Sequence, residues 1–404
     1  MALADGNRVQ HSYQVEDTWG VTKGSADFEE ILVTSGSFSQ DPTFIRSDQI
    51  RSDAQRAGSK RVGVNPTVNY NIEMQSQNFD DFIEHAIRSD ATWNTGSVTG
   101  TTIAAVNSSS QFTDSGNGLG VFEAGQWVYV SGFTGDTSNN GWARVTTAAA
   151  GALTVDKTLV DDSAGESVTI ESEWIQNGTA EPSFSLQEEF LNLTNRLHII
   201  TGARIGAWNF NVSPRAIITG SFAFQGKDFN QATSKAGSGT VNAAAAQEVM
   251  SEVDAIGSFF WGDGGAAETF SLNSFNFGTS TATRGQTGLG SEALIGLALG
   301  TMTVSGGLQV YLSDSGNDDT WTTLEADFLA GTKRRLAIAM SQESNSQTDH
   351  YLIEFPSAQL TSEPGDRPGL DNDVMSNYGF EAEPGTTTGS TQKTIQVFRV
   401  SNVA

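Results

Sequence analysis

The chain has 404 residues, only 17% of them charged, and 43 are glycine. With abundant Ser and Thr, this composition argues against long helices and suits many short strands joined by turns. The net charge is 22 − 47 = −25, so the chain lacks the surplus of Lys and Arg that neutralises phosphates in proteins that grip nucleic acid.

No cysteine is present, which excludes disulfides and thiolate metal centres and fits synthesis in a reducing cytoplasm. Hydrophobic content is a low 37%, yet 23 Phe and 8 Trp supply large units of buried area. Met1 to Gly6 show no basic segment leading into an apolar run, so no signal peptide is read. The longest apolar stretch, Ala293 to Leu299, is too short to cross a bilayer. The expectation is a soluble protein of two or three domains with no membrane partner.

In chain order, Ser37-Phe38-Ser39 opens a strand region. It leads into a basic stretch, 46–61, that holds Arg46, Arg51, Arg56, Lys60 and Arg61. Such a stretch is often a solvated loop. On so acidic a protein it also has an obvious partner, the acidic surface of another copy, which Arg binds bidentately. Alternating Val68, Tyr70, Ile72 and Met74 then read as a strand. Phe79, Phe82, Ile83, Ala86 and Ile87 read as one face of a short helix capped by Asn78.

Residues 96–175 form a separate all-β module with Gly, Asn and Asp turns. Arg144 and Lys157 are its only bases, so it reads as a solvated, external lobe. Strands follow at Ser183–Leu186, Leu197–Gly202 and Ile217–Phe224. Ala243–Ile256 reads as a linker helix, with Val249, Val253 and Ile256 on one face and Gly257 stopping it.

From Ser274-Phe275-Asn276 the pattern begins again. A strand with Leu308, Val310 and Leu312 precedes a helix over 320–329, ended by Gly331. Strands at Arg335–Ser341, His350–Phe355 and Val374–Ala382 complete the run. The distance from Ser37 to Gly63 equals that from Ser274 to Gly300, and Tyr378-Gly379-Phe380 pairs with Phe222-Ala223-Phe224. Any two β-rich segments show some likeness, but the shared order of elements points to an internal repeat.

Signals for chemistry are thin. His11, His85, His198 and His350 lie far apart without ligand spacing, and His198 and His350 fall at similar places in the repeat, which suggests strand-surface roles. No nucleophile elbow, P-loop or dinucleotide fingerprint occurs. The acidic runs 314–319 and 366–373 read as turns and lack EF-hand spacing. No catalytic residue, metal or cofactor is expected.

These features together resemble the tail-tube proteins of long-tailed bacteriophages. The residues that carry the resemblance are the Phe28–Phe38 strand region, the Arg46 to Arg56 loop, the strand–helix unit Val68–Ile87, and the closing runs Tyr351–Pro356 and Tyr378–Ala382. The resemblance implies a mainly β fold with two tail-tube β-sandwich or barrel domains, each with a short helix. Tube domain 1 covers 1–95 and 176–235, the inserted module 96–175, a linker with helix 236–267, and tube domain 2 268–404.

It further implies a virion protein, made and assembled in the host cytoplasm, that stacks as six-fold rings into a hollow tail tube. Residues 46–61 occupy the place of the ring-stacking loop. Two domains per chain suggest three chains per ring, and about four strands per domain give a wall roughly 150 Å around and about 48 Å across. An acidic lumen would let DNA pass without tight binding. Tail terminator, tape-measure and distal tail proteins are the implied partners. Other readings are a tail terminator or decoration protein, and a secreted carbohydrate-active β-protein, which the missing leader disfavours.

Overall fold

The computed structural model describes residues 3–252, 256–262, 272–314, 319–344, 347–362, 370 and 373–403. The first half opens with Val9–Val15 (β1), Phe28–Ile31 (β2), Ser35–Ser39 (β3), Pro42–Arg46 (β4), Ser59–Val64 (β5) and Thr67–Glu73 (β6). In β6 the alternation read from the sequence holds: Val68, Tyr70 and Ile72 are buried, while Asn69 and Asn71 face solvent. Helix α1, Asp80–Ala86, buries the face expected of it, Phe79, Phe82, Ile83, Ala86 and Ile87. Its cap differs from expectation. The N-cap residue is Phe79, and Asn78 instead accepts from the Ala245 backbone N–H at 2.8 Å.

Seven strands form the module: Asn94–Gly100 (β7), Ile103–Val106 (β8), Gln111–Asp114 (β9), Trp127–Ser131 (β10), Gly141–Ala149 (β11), Ala152–Val155 (β12) and Val168–Gln176 (β13). They enclose a core of their own that includes Phe112, Leu119, Val128, Phe133 and Ile170. The chain then returns through Phe184–Phe190 (β14), Leu197–Val212 (β15), Thr219–Gln225 (β16), Asp228–Ala232 (β17) and Val241–Asn242 (β18).

The linker helix is corrected over most of its length. Residues 243–250 carry no helical turn, Glu252 is helical, 253–255 lie outside the described residues, and Ile256 already belongs to a strand. The backbone bonds of this segment go sideways, not along a helix: Met250 N–H donates to Met74 O and Ile218 N–H to Met250 O, each within 2.9 Å. An amphipathic spacing of Val and Ile did not outweigh these tertiary partners.

The second half comprises Ile256–Trp261 (β19), Leu272–Gln286 (β20), Gly296–Tyr311 (β21), Lys333–Ser344 (β22), Gln347–Ser362 (β23), Met375–Glu383 (β24), Gly385–Thr386 (β25), Gln392–Lys393 (β26) and Gln396–Val403 (β27). Between β21 and β22 a π-helical turn, Trp321–Glu325, runs into Ala326–Ala330 (α2). Gly331 ends α2 at φ 63°, a left-handed conformation in which glycine carries no Cβ penalty.

The two halves share one strand order. In the first the neighbours run β1–β14–β15–β16–β6–β3, with β17 beside the N-terminal part of β15. In the second they run β19–β22–β23–β24–β21–β20, with β27 beside β23. Two bulges recur as well. One lies between the third and fourth strands named above, at Ile205/Ala207 and Leu360/Ser362. The other lies between the second and third, at Phe184/Leu186 and Arg334/Leu336. Alignment on the first pair of bulges sets Phe222 against Tyr378 and Phe224 against Phe380, the pairing read from the sequence.

The halves are sewn together by strand pairing: Ala207–Val212 of β15 runs antiparallel to Ser280–Phe275 of β20. One cross-strand row therefore passes through eight strands without a break, Ser35, Asn71, Ser221, Asn209, Gly278, Ser305, Glu381 and Gln359. On the opposite face stand Tyr70, Phe222, Trp208, Phe210, Phe275 and Phe277, all within one core cluster. Trp208 and Phe277, from different halves, meet edge to face at 4.9 Å. Fully burying each such side chain is worth roughly 1.5–3 kcal/mol, so the seam is part of the core.

Candidate assembly surfaces

Strand β15 builds the seam between the halves, and β3 offers an open edge. Strand β15 is long because it serves two layers. Its first part pairs β14 and β17, and its last part pairs β16 and β20. Strand β3 is the first-half counterpart of β20, but among the described residues it pairs only β6. Its outer edge carries Ser35, Ser37 and Ser39, all exposed. A row of free N–H and C=O groups of this kind is a template for another strand.

The basic stretch 46–61 is the tip of a two-stranded arm, β4 and β5, that among the described residues pairs with no other strand. Arg46, Arg51, Arg56, Lys60 and Arg61 are all exposed on it. Arg51 is tied to Asp53 at 2.6 Å, and that hydrogen bond raises the guanidinium and lowers the carboxyl from their ordinary values. Arg61 reaches Glu292 at 3.0 Å. Glu292 lies in the matching arm of the second half, the β20–β21 hairpin, and its carbonyl also accepts from Val64 N–H at 3.1 Å.

Sequence reading singled out the arm's charges but missed its apolar side chains. Ile50 at 103% and Leu289 at 108% exposure sit at the two tips, with Phe44 and Ile45 beside β5. Their signal was the isolated Ile50 amid polar residues. Phe44, Ile45 and Ile50 thus put three exposed apolar side chains on one short arm.

The module packs on the second half, and its bases are not free on the surface. Arg144 is buried, and its Nε meets Glu354 Oε1 of β23 at 2.9 Å. Arg335 of β22 joins the same carboxylate at 3.3 Å and holds Asp156 of the module at 2.8 Å. Trp127 packs against Ala337, Ala339, Leu352 and Phe398. Strand β13 leaves the module to pair β27, and there Arg399 grips Glu173 at 2.6 Å and also Asp80 of α1. Burial brings the Lys157 ammonium down to about 8.

The histidines do not converge. His198 Nδ1 meets Glu188 at 2.9 Å. His350 is buried, not on a strand surface, and stacks on Tyr129 at 3.9 Å, with its imidazole brought down to about 4 by burial. His11 is lowered to about 4 in the same way. Among the described residues no three His, Asp or Glu side chains could hold a metal ion. Of the acidic runs, 315–318, 366–369 and 371–372 lie outside the described residues, and Asp319 bonds Thr322 N–H at 2.8 Å.

Between module and second half lies a cleft of about 490 Å³ walled by Trp127, Tyr129, Trp142, Phe260 and Trp261. Among the described residues no helix is long and apolar enough to cross a membrane. No curated protein matches the chain. The family model described as phage tail tube protein matches residues 6–382, nearly the whole of both halves and the module between them. The chain belongs to the phage tail tube protein family.

Proposed function

We propose that three copies of this chain close edge to edge into a ring of six tube domains, and that rings stack into the hollow tail tube through which the genome reaches the host. The observation that carries this reading is the internal seam. Strand β15 of one half already pairs β20 of the next, in two halves of equal strand order. Strand β3 is the counterpart of β20 and, among the described residues, pairs only β6, so its open edge is the place for the β23 end of a neighbouring copy. Eight strands per chain, four from each half, would place 24 in a ring of three chains.

The same seam supports a domain 1 at 1–95 and 176–235 and a domain 2 at 268–404, with β19 of the 236–267 linker joining the second half. Arm residues Arg46, Arg51, Arg56, Lys60 and Arg61 contact the next ring, with Ile50 and Leu289 as the apolar anchors. The chain works without catalysis or cofactor, is assembled in the host cytoplasm, and meets tail terminator, tape-measure and distal tail proteins at the tube ends.

Electron microscopy of purified protein tests the reading. Hollow tubes whose rings show six-fold density at low resolution and three-fold at high resolution are expected. Six chains per ring by mass and symmetry, or a stable monomer that never polymerises, would overturn it.

A further inference from the structure

One face of the continuous sheet packs on the core, and the other is wet. The wet rows are made almost wholly of amide, hydroxyl and glycine positions. Asn71 Nδ2 donates to Ser35 Oγ at 2.9 Å, Asn69 to Ser37 at 3.2 Å and Asn209 to Ser221 at 3.1 Å, so the side chains bond one another along the wall. Two rows over from Asn69, the row Asn211, Asn276, Gly307 and Gly379 continues the pattern through four strands. The charges in these rows are Glu73 and Glu381, and no Lys or Arg occurs in them. Beyond these rows the nearest bases are Arg204, opposite Gln225 and ion-paired with Glu181 at 2.7 Å, and Lys333, one strand beyond Gln359 and ion-paired with Glu383, while Arg284 stands further along β20, past its bulge and in the arm.

Size differs between the faces as sharply as polarity. Gly278, Gly307 and Gly379 lie on the wet side, while Trp208, Phe210, Phe275 and Phe277 stand on the other. In a closed barrel strands crowd inward and side chains splay outward, so the small-residue face belongs on the concave side.

We infer that this face is the channel wall, and that it lets duplex DNA slide by being free of unpaired bases rather than by being acidic. The inference rests on the tube reading above and deepens it by naming the wall. A wall of neutral donors and acceptors holds water and releases no counterions from a phosphate backbone, so it adds no salt-dependent affinity. Carboxylates as sparse as Glu73 and Glu381 add little across a gap comparable to the screening length of ~8 Å. The bulk of the −25 charge then lies elsewhere and serves solubility.

The test uses full-length protein assembled into tubes. The variant Asn71→Lys/Asn209→Lys/Asn276→Lys places cations on the wall. Its tubes are expected to retain a short fluorescent duplex in a nuclease-protected form, with retention falling about tenfold or more between 50 and 200 mM salt. Wild type and Glu73→Gln/Glu381→Gln tubes retain none. Duplex captured by the lysine variant but open to nuclease would place the face outside, and retention by the glutamine variant would show that the acids are needed. Should the lysine variant not assemble, Asn209→Cys decides. A bulky maleimide is expected to label it in monomers and not in the middle of intact tubes, and equal labelling in both overturns the inference. Absence of tubes from wild type would instead sink the reading beneath it.

Discussion

Arg144 of the inserted module and Glu354 of β23 meet at 2.9 Å in a site where the carboxylate is fully buried. The contact spans 210 residues of chain and fixes the module against the second half.

Arg144→Ala leaves Glu354 with Arg335 at 3.3 Å as its remaining cation and strands much of a buried negative charge. A loss of about 3 kcal/mol in unfolding free energy is expected, read from denaturant midpoints at constant slope. The pair Arg144→Met/Glu354→Leu is expected to recover most of it, because a packed apolar pair replaces the charges together. Equal losses in both variants would mean that the ion pair itself carries the stability.

Deletion of 96–175 as a solvated lobe would leave tubes intact. The structure argues otherwise. That cut removes Trp127 and β13, uncovering Leu352, Phe398 and one edge of β27. The shortened chain is expected in the insoluble fraction, since an exposed apolar sheet edge pairs with other chains. Soluble, tube-forming product would show that the module contributes nothing to the body.

Arg46→Glu/Arg51→Glu/Arg56→Glu changes only exposed side chains, so thermal stability is expected within about 0.5 kcal/mol of wild type. Polymerisation is expected to fail or shorten, measured by sedimentation and tube length. Ile50→Asp, which alters no native charge pair, is expected to do the same by wetting the arm's tip. Tubes of normal length from both would remove the arm from the stacking contact.

Acid is expected to destabilise the subunit through His11 and His350. Both imidazoles are lowered by burial from 6.5 to about 4, so below 6.5 the unfolded chain takes up protons that the folded one refuses. Their contribution is present above 6.5 and is lost as pH falls through 4. Glu84 works in the opposite sense. Burial and Asp81 push its carboxyl from 4.5 up to about 7, so it costs stability as pH rises across that interval. Melting temperature in Glu84→Gln is therefore expected to fall more steeply between pH 6.5 and 4.5 than in wild type. A flatter profile would exclude this pairing of terms.

Gly306→Ala is expected to cost about 1–3 kcal/mol. A Cβ there would stand 2.2 Å from the Asn276 backbone oxygen and 2.7 Å from the Phe380 ring, neither of which moves freely. Gly278→Ala, whose Cβ would meet only the Asn209 side chain closely, at 2.6 Å, is expected to be milder. Chemical denaturation of the two variants side by side gives the comparison.

Local pattern carried much of the fold. The period-two burial of Val68, Tyr70 and Ile72 and the helical face Phe79 to Ile87 were legible because each depends on neighbours a few residues away. The linker failed for the opposite reason: its N–H and C=O groups found Met74 and Ile218, far off in sequence, and a spacing of Val and Ile contains no trace of such partners. Arg144 looked like a surface base because nothing near it in sequence hints at Glu354. The basic arm was visible as charge, while its pairing as β4 with β5 and the grip of Arg61 on Glu292 were not. The wet rows were hidden too, because Asn and Ser scattered over eight strands form a wall only once register is known.

The β15–β20 seam alters the economics of closing a ring. When two repeats share one polypeptide, half of all lateral joints are made during folding, at an effective concentration no dilute neighbour can match. In the ring proposed above, closure needs three encounters between molecules in place of six, and every second joint has its alignment fixed before a partner arrives. Errors of slippage are thereby confined to the joints that β3 makes.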